Sequence, residues 1–164
     1  MSDLRIAPPA STAELEACAG LMAASEPWLT LRRDRATCLR LLEDPNRETY
    51  VAHLGDQLAG VLVLNLQGAF VGYLQAICLA PTFRGQGLGS RLIAFTEDRS
   101  FRDHPNVCLC GSGFNHAARR LYERRGYTCI GELKDYVVPG QSEWLYRKTR
   151  GPLQADLTQG TSIP

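Results

Sequence analysis

Apolar and polar positions change period along the chain, and each change marks an element. Leu4-Arg5-Ile6 alternates as a short strand and is stopped by Pro8-Pro9. Ser11 followed by Glu14 is a capping-box signature, opening a helix that runs to about Ala24 before Pro27 ends it. A second helix is expected over roughly Arg33 to Glu43, and Asp44-Pro45-Asn46 then turns the chain. Tyr50 to His53 and Leu58 to Leu64 read as strands joined in a hairpin at Gly55-Asp56. A longer strand, about Phe70 to Leu79, runs into Pro81. From about Gly87 to Phe101 the apolar positions Leu88, Leu92, Ile93 and Phe95 share one helical face, with Arg91 and Glu97 outside it. Val107 to Cys110 is a strand, and Asn115 to Arg125 a helix closed by Gly126. Tyr127 to Leu133 and Trp144 to Lys148 form a last hairpin across Pro139-Gly140.

This order predicts an α/β fold in a single domain over 1–149. Its sheet is mixed and mostly antiparallel, flanked by helices, with one parallel crossover between the strands Phe70–Leu79 and Val107–Cys110. The segment 150–164 is polar and aperiodic and reads as a disordered tail. A length of 164 residues suits one domain with a substantial core. A net charge of +1 gives no footprint for nucleic acid or for an anionic membrane, so neither partner is expected. Without a leader sequence or a long apolar run, a cytoplasmic location is expected. The six cysteines, at 18, 38, 78, 108, 110 and 129, lack the spacing of a zinc site, so no metal is expected. Four of them sit in apolar strands or beside them and suit buried thiols of a reducing compartment.

The chemistry concentrates in Leu79-Ala80-Pro81-Thr82-Phe83-Arg84-Gly85-Gln86-Gly87-Leu88-Gly89. Alternating glycines let backbone N–H groups approach a ligand closely, and the helix that follows turns its unpaired N–H groups and positive dipole end the same way. Such a loop binds phosphate or pyrophosphate. No Lys-Ser/Thr pair follows, and Gly85-x-Gly87-x-Gly89 lacks the dinucleotide spacing, so the two commonest phosphate loops are excluded.

The run Arg84 to Gly89 matches the Arg/Gln-x-x-Gly-x-Gly/Ala hallmark of the GCN5-related N-acetyltransferases (GNAT). Asn115-His116-Ala117-Ala118-Arg119-Arg120-Leu121-Tyr122-Glu123-Arg124-Arg125-Gly126-Tyr127 is similar to the family's Asn-x-x-Ala-x-x-Leu-Tyr-x-x-x-Gly-Phe/Tyr helix. The chain therefore resembles this family from roughly Tyr50 to Lys148. The resemblance implies an acetyl-CoA-dependent N-acetyltransferase that moves an acetyl group to a primary amine, on a small molecule or a peptide or protein N-terminus, by direct attack. A non-catalytic acyl-CoA-binding module is the alternative. It also implies that the two parallel strands splay apart to take the pantetheine arm, and that a homodimer can form through the C-terminal strands.

Carried onto this chain, the resemblance gives the cofactor to Arg84, Gly85, Gln86, Gly87, Leu88, Gly89 and Ser90, to the backbone of Ile77, Cys78 and Leu79, and to Asn115, which also suits a helix cap. Tyr122 is the catalytic residue facing the departing sulfur. A phenol pKa of about 10 against about 8.5 for a thiol makes full proton donation uphill by about 2 kcal/mol, so a hydrogen bond or a relay is expected. Many family members carry a Glu where this chain has Gln75, which cannot take a proton. Gln75 can still orient a water or the substrate, and the base is then water or a carboxylate from elsewhere, with Glu26 and Asp135 the candidates. Deprotonating a lysine amine at pH 7 costs about 4.6 kcal/mol and an α-amine about 1, so a site without a placed carboxylate leans toward low-pKa amines. Trp28 and Tyr136 are candidate pocket walls or core residues, and His53 and His116 are expected at the surface.

Overall fold

The computed structural model describes residues 3–154. Among these residues seven strands form one sheet in the order β1-β2-β3-β4-β5-β7-β6. The first four are β1 (Leu4–Ala7), β2 (Glu48–Leu54), β3 (Gln57–Asn65) and β4 (Tyr73–Leu79), each antiparallel to its neighbour. Next come β5 (Asn106–Ser112), parallel to β4, then β7 (Glu143–Thr149) and the edge strand β6 (Thr128–Leu133). Helices α1 (Thr12–Ala23) and α2 (Arg35–Leu42) precede β2, α3 (Leu88–Ser100) makes the β4-to-β5 crossover, and α4 (His116–Arg124) follows β5. The mixed sheet with one parallel pair is the expected architecture. No helix is long and apolar enough to cross a membrane among the described residues.

The sheet has a core on each face. On one, Leu62, Leu64, Leu74, Val107 and Leu109 pack against Leu92 and Ile93 of α3 and Tyr122 of α4. On the other, Val51, Val61, Val63, Ala76 and Cys78 meet Cys18, Met22, Cys38 and Leu42 of α1 and α2. Along β3 the residues alternate between the two, Leu62 and Leu64 on one face and Val61 and Val63 on the other, as the pleat requires. Ser11 caps α1 by accepting from Glu14 N, and Asp34 caps α2 by accepting from Thr37 N.

Three expectations change. The strand drawn from Phe70 starts at Tyr73, because 66–72 is a loop and Gly72 takes φ 77. Glu97, which reads as outside the helix face, lies four residues after Ile93 and is buried, with Oε2 paired to Arg125 at 2.7 Å and Lys148 at 3.0 Å. His53 is not a free surface residue: its side chain is 13% exposed and Nε2 lies 3.1 Å from Glu14 Oε1. Of the tail at 150–164, residues 155–164 lie outside the described residues. Arg150 is tied down, its N–H donating to Pro105 O at 2.8 Å and its guanidinium lying over Phe101.

Candidate active site

β4 and β5 pair through only Tyr73↔Cys108 and Leu74↔Leu109, and then part. The cause is local to β4. Leu64 faces Leu74 and Val63 faces Ala76, so Gln75 has no partner on β3 and forms a bulge. A bulge bends its strand, and here it opens a wedge. Among the described residues, no strand lies beside the β4 edge from Ile77 to Leu79 that is turned away from β3. The wedge is the heart of a cleft of about 1120 Å³. Ile77, Cys78, Leu79, Gly85, Gly87, Gly89, Ser90, Asn115 and Tyr122 all line it, so both sequence motifs meet at one place.

At the wedge's open end, a 3-10 turn (Pro81–Phe83) carries β4 into the glycine loop, and Gly87 is the N-cap of α3. Gly85 and Gly87 have φ 73 and 79, a backbone that other residues adopt only under strain, and a Cβ at either would enter open space. The remaining predicted loop residues divide their duties. Leu88 buries its side chain with Ala59 and Phe83, leaving only its backbone to a ligand, and Gln86 donates to Thr82 O outside the cleft lining. Arg84 lines the cleft, but its guanidinium braces the strand end, donating to Leu79 O at 3.1 Å and Ser25 Oγ at 3.2 Å. Asn115 caps α4 by accepting from Ala118 N.

Tyr122 reaches the wedge from the α4 face. Its entry depends on Gly111 of β5, where a Cβ would lie 3.3 Å from Tyr122 Cε2 and 3.0 Å from Arg119 Cγ. The ring packs edge-on to Tyr146. Burial, followed by the charge of Glu143, pushes the phenol pKa well up, so it stays a protonated donor at any physiological pH.

The other candidates are less free. Gln75 is exposed in the cleft, and its Oε1 accepts from Arg47 NH1 at 2.6 Å. Glu26 lines the cleft, with Oε2 accepting from Thr30 N and Oε1 from Thr30 Oγ1. Asp135 does not line it: its Oδ1 accepts from Gly140 N at 2.6 Å inside the β6–β7 connection. Trp28 is buried and Tyr136 is 64% exposed, and both form walls.

Two groups in the cleft were not anticipated. Glu143 heads β7 and is only 6% exposed, with Oε1 accepting from Ser112 Oγ at 2.6 Å. Tyr73 sits beside Cys110, both lining the cleft. Burial pushes the Glu143 carboxyl above its usual range, opposed by the Ser112 hydrogen bond and by Arg33. One signal in the sequence marks Glu143: it is in phase with Leu145, an inward position of its strand. The Ser112↔Glu143 register that brings it to the cleft is a long-range pairing with no local signature.

Comparison with known proteins agrees with this geometry. The family described as "Acetyltransferase (GNAT) family" matches residues 11–127. N-acetylaspartate synthetase of Danio rerio is 30% identical over 110 residues, 64% of this chain and 36% of that one. Aminoalkylphosphonate N-acetyltransferase of Salmonella typhimurium is 27% identical over 92 residues, 52% of this chain and 60% of that one. The chain thus spans about a third and three fifths of these two relatives. Among solved structures, an aminoglycoside 6'-N-acetyltransferase complexed with coenzyme A superposes with a TM-score of 0.71 at 15% identity, covering 90% of this chain and 98% of that one, which shows a shared fold.

Proposed function

The chain belongs to the acetyltransferase (GNAT) family, and on that premise we propose that it moves an acetyl group from acetyl-CoA to a primary amine by direct attack. The amine is that of a small molecule or of a peptide or protein N-terminus. The observation that carries the reading is the parted β4–β5 pair with the glycine loop at its mouth and Tyr122 at its side.

The residues present fit acetyl-CoA. Bare backbone at Gly85 and Gly87, together with the unpaired N–H groups that open α3, forms a cradle for the pyrophosphate. The free β4 edge at Ile77 to Leu79 is a strand template for the pantetheine amides, and one of its N–H groups polarises the thioester carbonyl. The thioester supplies an electrophilic carbonyl carbon and a thiolate leaving group. Arg84 stiffens the strand end, and Asn115 holds α4 at its start, which positions Tyr122. Tyr122, held protonated, donates a hydrogen bond to the departing sulfur. Phe70, Trp28 and Tyr136 wall the acceptor end.

The catalytic unit is read as residues 1–149. A cytoplasmic location suits the six free thiols. A homodimer through the C-terminal strands suits β6 as the last strand of the sheet, where Ile130 is 50% exposed.

The test is mass-spectrometric detection of acetylated product from acetyl-CoA and a panel of aspartate, aminomethylphosphonate, an alanyl peptide, glucosamine and a lysine peptide. Product is expected on one of the first four. Tyr122→Phe is expected to lower kcat by about 100-fold, the scale of one lost transition-state donor, with the affinity for coenzyme A kept. Product on the lysine peptide alone would refute the acceptor class, and an indifferent Tyr122→Phe variant would refute the role of the phenol.

A further inference from the structure

We propose that the Glu143 carboxylate, reaching the wedge from the sheet face opposite Tyr122, takes the proton from the acceptor ammonium. The inference rests on the acetyl-transfer reading. Along β7, Glu143 and Leu145 alternate with Trp144 and Tyr146, and Tyr146 belongs to the core beneath α3 and α4. Glu143 therefore projects from the α1–α2 face and Tyr122 from the α4 face. Both line the same cleft, and the charge of Glu143 is felt at the phenol. A base and a sulfur-facing donor on opposite sides of a thioester leave room for the amine to enter between them.

Elimination points the same way. Gln75 carries no proton-accepting charge and is held by Arg47, Glu26 has both oxygens on Thr30, and Asp135 is outside the cleft. Glu143 gives one oxygen to Ser112, and none of the ion pairs formed among the described residues includes it. A buried anion without a counter-ion is a site for a cation, and an ammonium is the cation this reaction brings. The groups facing it are Ser112 and Cys110 from β5, Tyr73 from β4, Tyr122 from α4, and Arg33 from the segment before α2. Only Arg33 among these is a cation, and it is exposed. Burial raises the Glu143 carboxyl and brings its basicity nearer to that of the amine.

Glu143 accepts one proton from R–NH3+ and becomes neutral. The freed lone pair bonds to the thioester carbonyl carbon, and the C–S bond breaks with its electron pair leaving on sulfur. A second N–H proton reaches the thiolate by way of the Tyr122 hydroxyl, which is restored. Glu143 then returns its proton to solvent, giving amide, thiol and one released proton.

The experiment is the pH–rate profile of wild type, Glu143→Gln and Ser112→Ala on whichever panel amine gives most product, with coenzyme A affinity measured alongside. Glu143→Gln is expected to lose about 100-fold or more in kcat at pH 7. The loss should shrink as pH rises toward the amine's own pKa, with coenzyme A bound as in wild type. Ser112→Ala removes a hydrogen bond that favours the charged carboxylate, so its ascending limb should move to higher pH with the plateau kept. If Glu143→Gln fails to fold, that shift decides the matter. Glu143→Gln within twofold of wild type at every pH, or an unmoved Ser112→Ala profile, would overturn the proposal while leaving acetyl transfer standing. Wild type that yields no product with any panel amine would overturn the functional reading and this proposal together.

Discussion

Gly111→Ala tests whether the position of the Tyr122 ring sets the rate. The new Cβ would lie 3.3 Å from Tyr122 Cε2 and 3.0 Å from Arg119 Cγ. Arg119 is a flexible side chain, although its Nε is bonded to Tyr146 Oη and its guanidinium stacks over Trp144. The ring has less freedom, being buried against Tyr127 and Tyr146, so it must move by a few tenths of an ångström with its helix. Overpacking of this kind costs about 1–3 kcal/mol, which is roughly 2–12 °C in Tm at this chain length. A misplacement of about 1 Å costs about 100-fold, so a shift of a third to a half of that predicts a kcat about 5- to 10-fold lower. The glycine loop is untouched, so coenzyme A affinity should stay within about twofold. Tm, kcat by product mass spectrometry and titration of coenzyme A by calorimetry read the three quantities separately. A fall in Tm with kcat unchanged would refute the reasoning, because the ring would then have moved without consequence.

Gly87→Ala puts a Cβ at φ 79 with no atom within 4 Å, so stability should fall by only about 1–2 kcal/mol while coenzyme A affinity, read by calorimetry, falls by at least tenfold. Arg125→Ala and Lys148→Ala each leave Glu97 one partner and should cost about 1 kcal/mol. The double variant leaves a buried, unpaired carboxylate and should cost about 3–5 kcal/mol in denaturant unfolding. The raised carboxyl of Glu143 favours folding at acid pH, and that contribution is lost as pH rises through its folded-state pKa. Glu143→Gln should therefore match wild type in Tm near about pH 4 and exceed it at neutral pH. At pH 8 a thiol dye should label about one cysteine per chain quickly, the exposed Cys129. Burial pushes Cys18 to about 12 and Cys78 to about 11 and keeps both unreactive, so fast labelling of three or more thiols would contradict this burial.

What was legible in the sequence was local. The Ser11 and Asn115 caps, the Gly126 stop and the glycine loop are read within a few residues, because caps and positive-φ turns depend on near neighbours. The parallel crossover was legible because a helix of about thirteen residues must return the chain to the sheet. What was not legible depends on pairing between distant segments. Glu97 reads as a solvent residue until Arg125 and Lys148 are brought to it from α4 and β7. The bulge at Gln75 is a mismatch between two strands, so neither strand encodes it alone. Glu143 enters the cleft only through the β5–β7 register, since a shift of one residue would turn it to the opposite face. The family resemblance points to position 75, on the strand before the loop, whereas Glu143 stands two strands away.

Both features that open the wedge weaken the fold locally. The bulge leaves Gln75 without a ladder partner, and the parting leaves the β4 edge from Ile77 to Leu79 uncovered. Glu143 adds a buried carboxylate whose charged form the surroundings disfavour. The rest of the sheet is arranged to hold these features in place. β3 pairs along the far side of β4, β7 pairs with β5 at seven successive positions, and Arg84 ties Leu79 O to Ser25. An uncovered main-chain edge in a rigid frame is a binding surface, because a ligand with amide groups completes a ladder the fold has left open. On this argument the bulge, and not any single side chain, is the feature on which the site depends. Deleting Gln75 should restore the β3–β4 register and close the wedge, with coenzyme A binding lost and thermal stability raised. A deletion variant that still binds coenzyme A would show that the wedge opens for another reason.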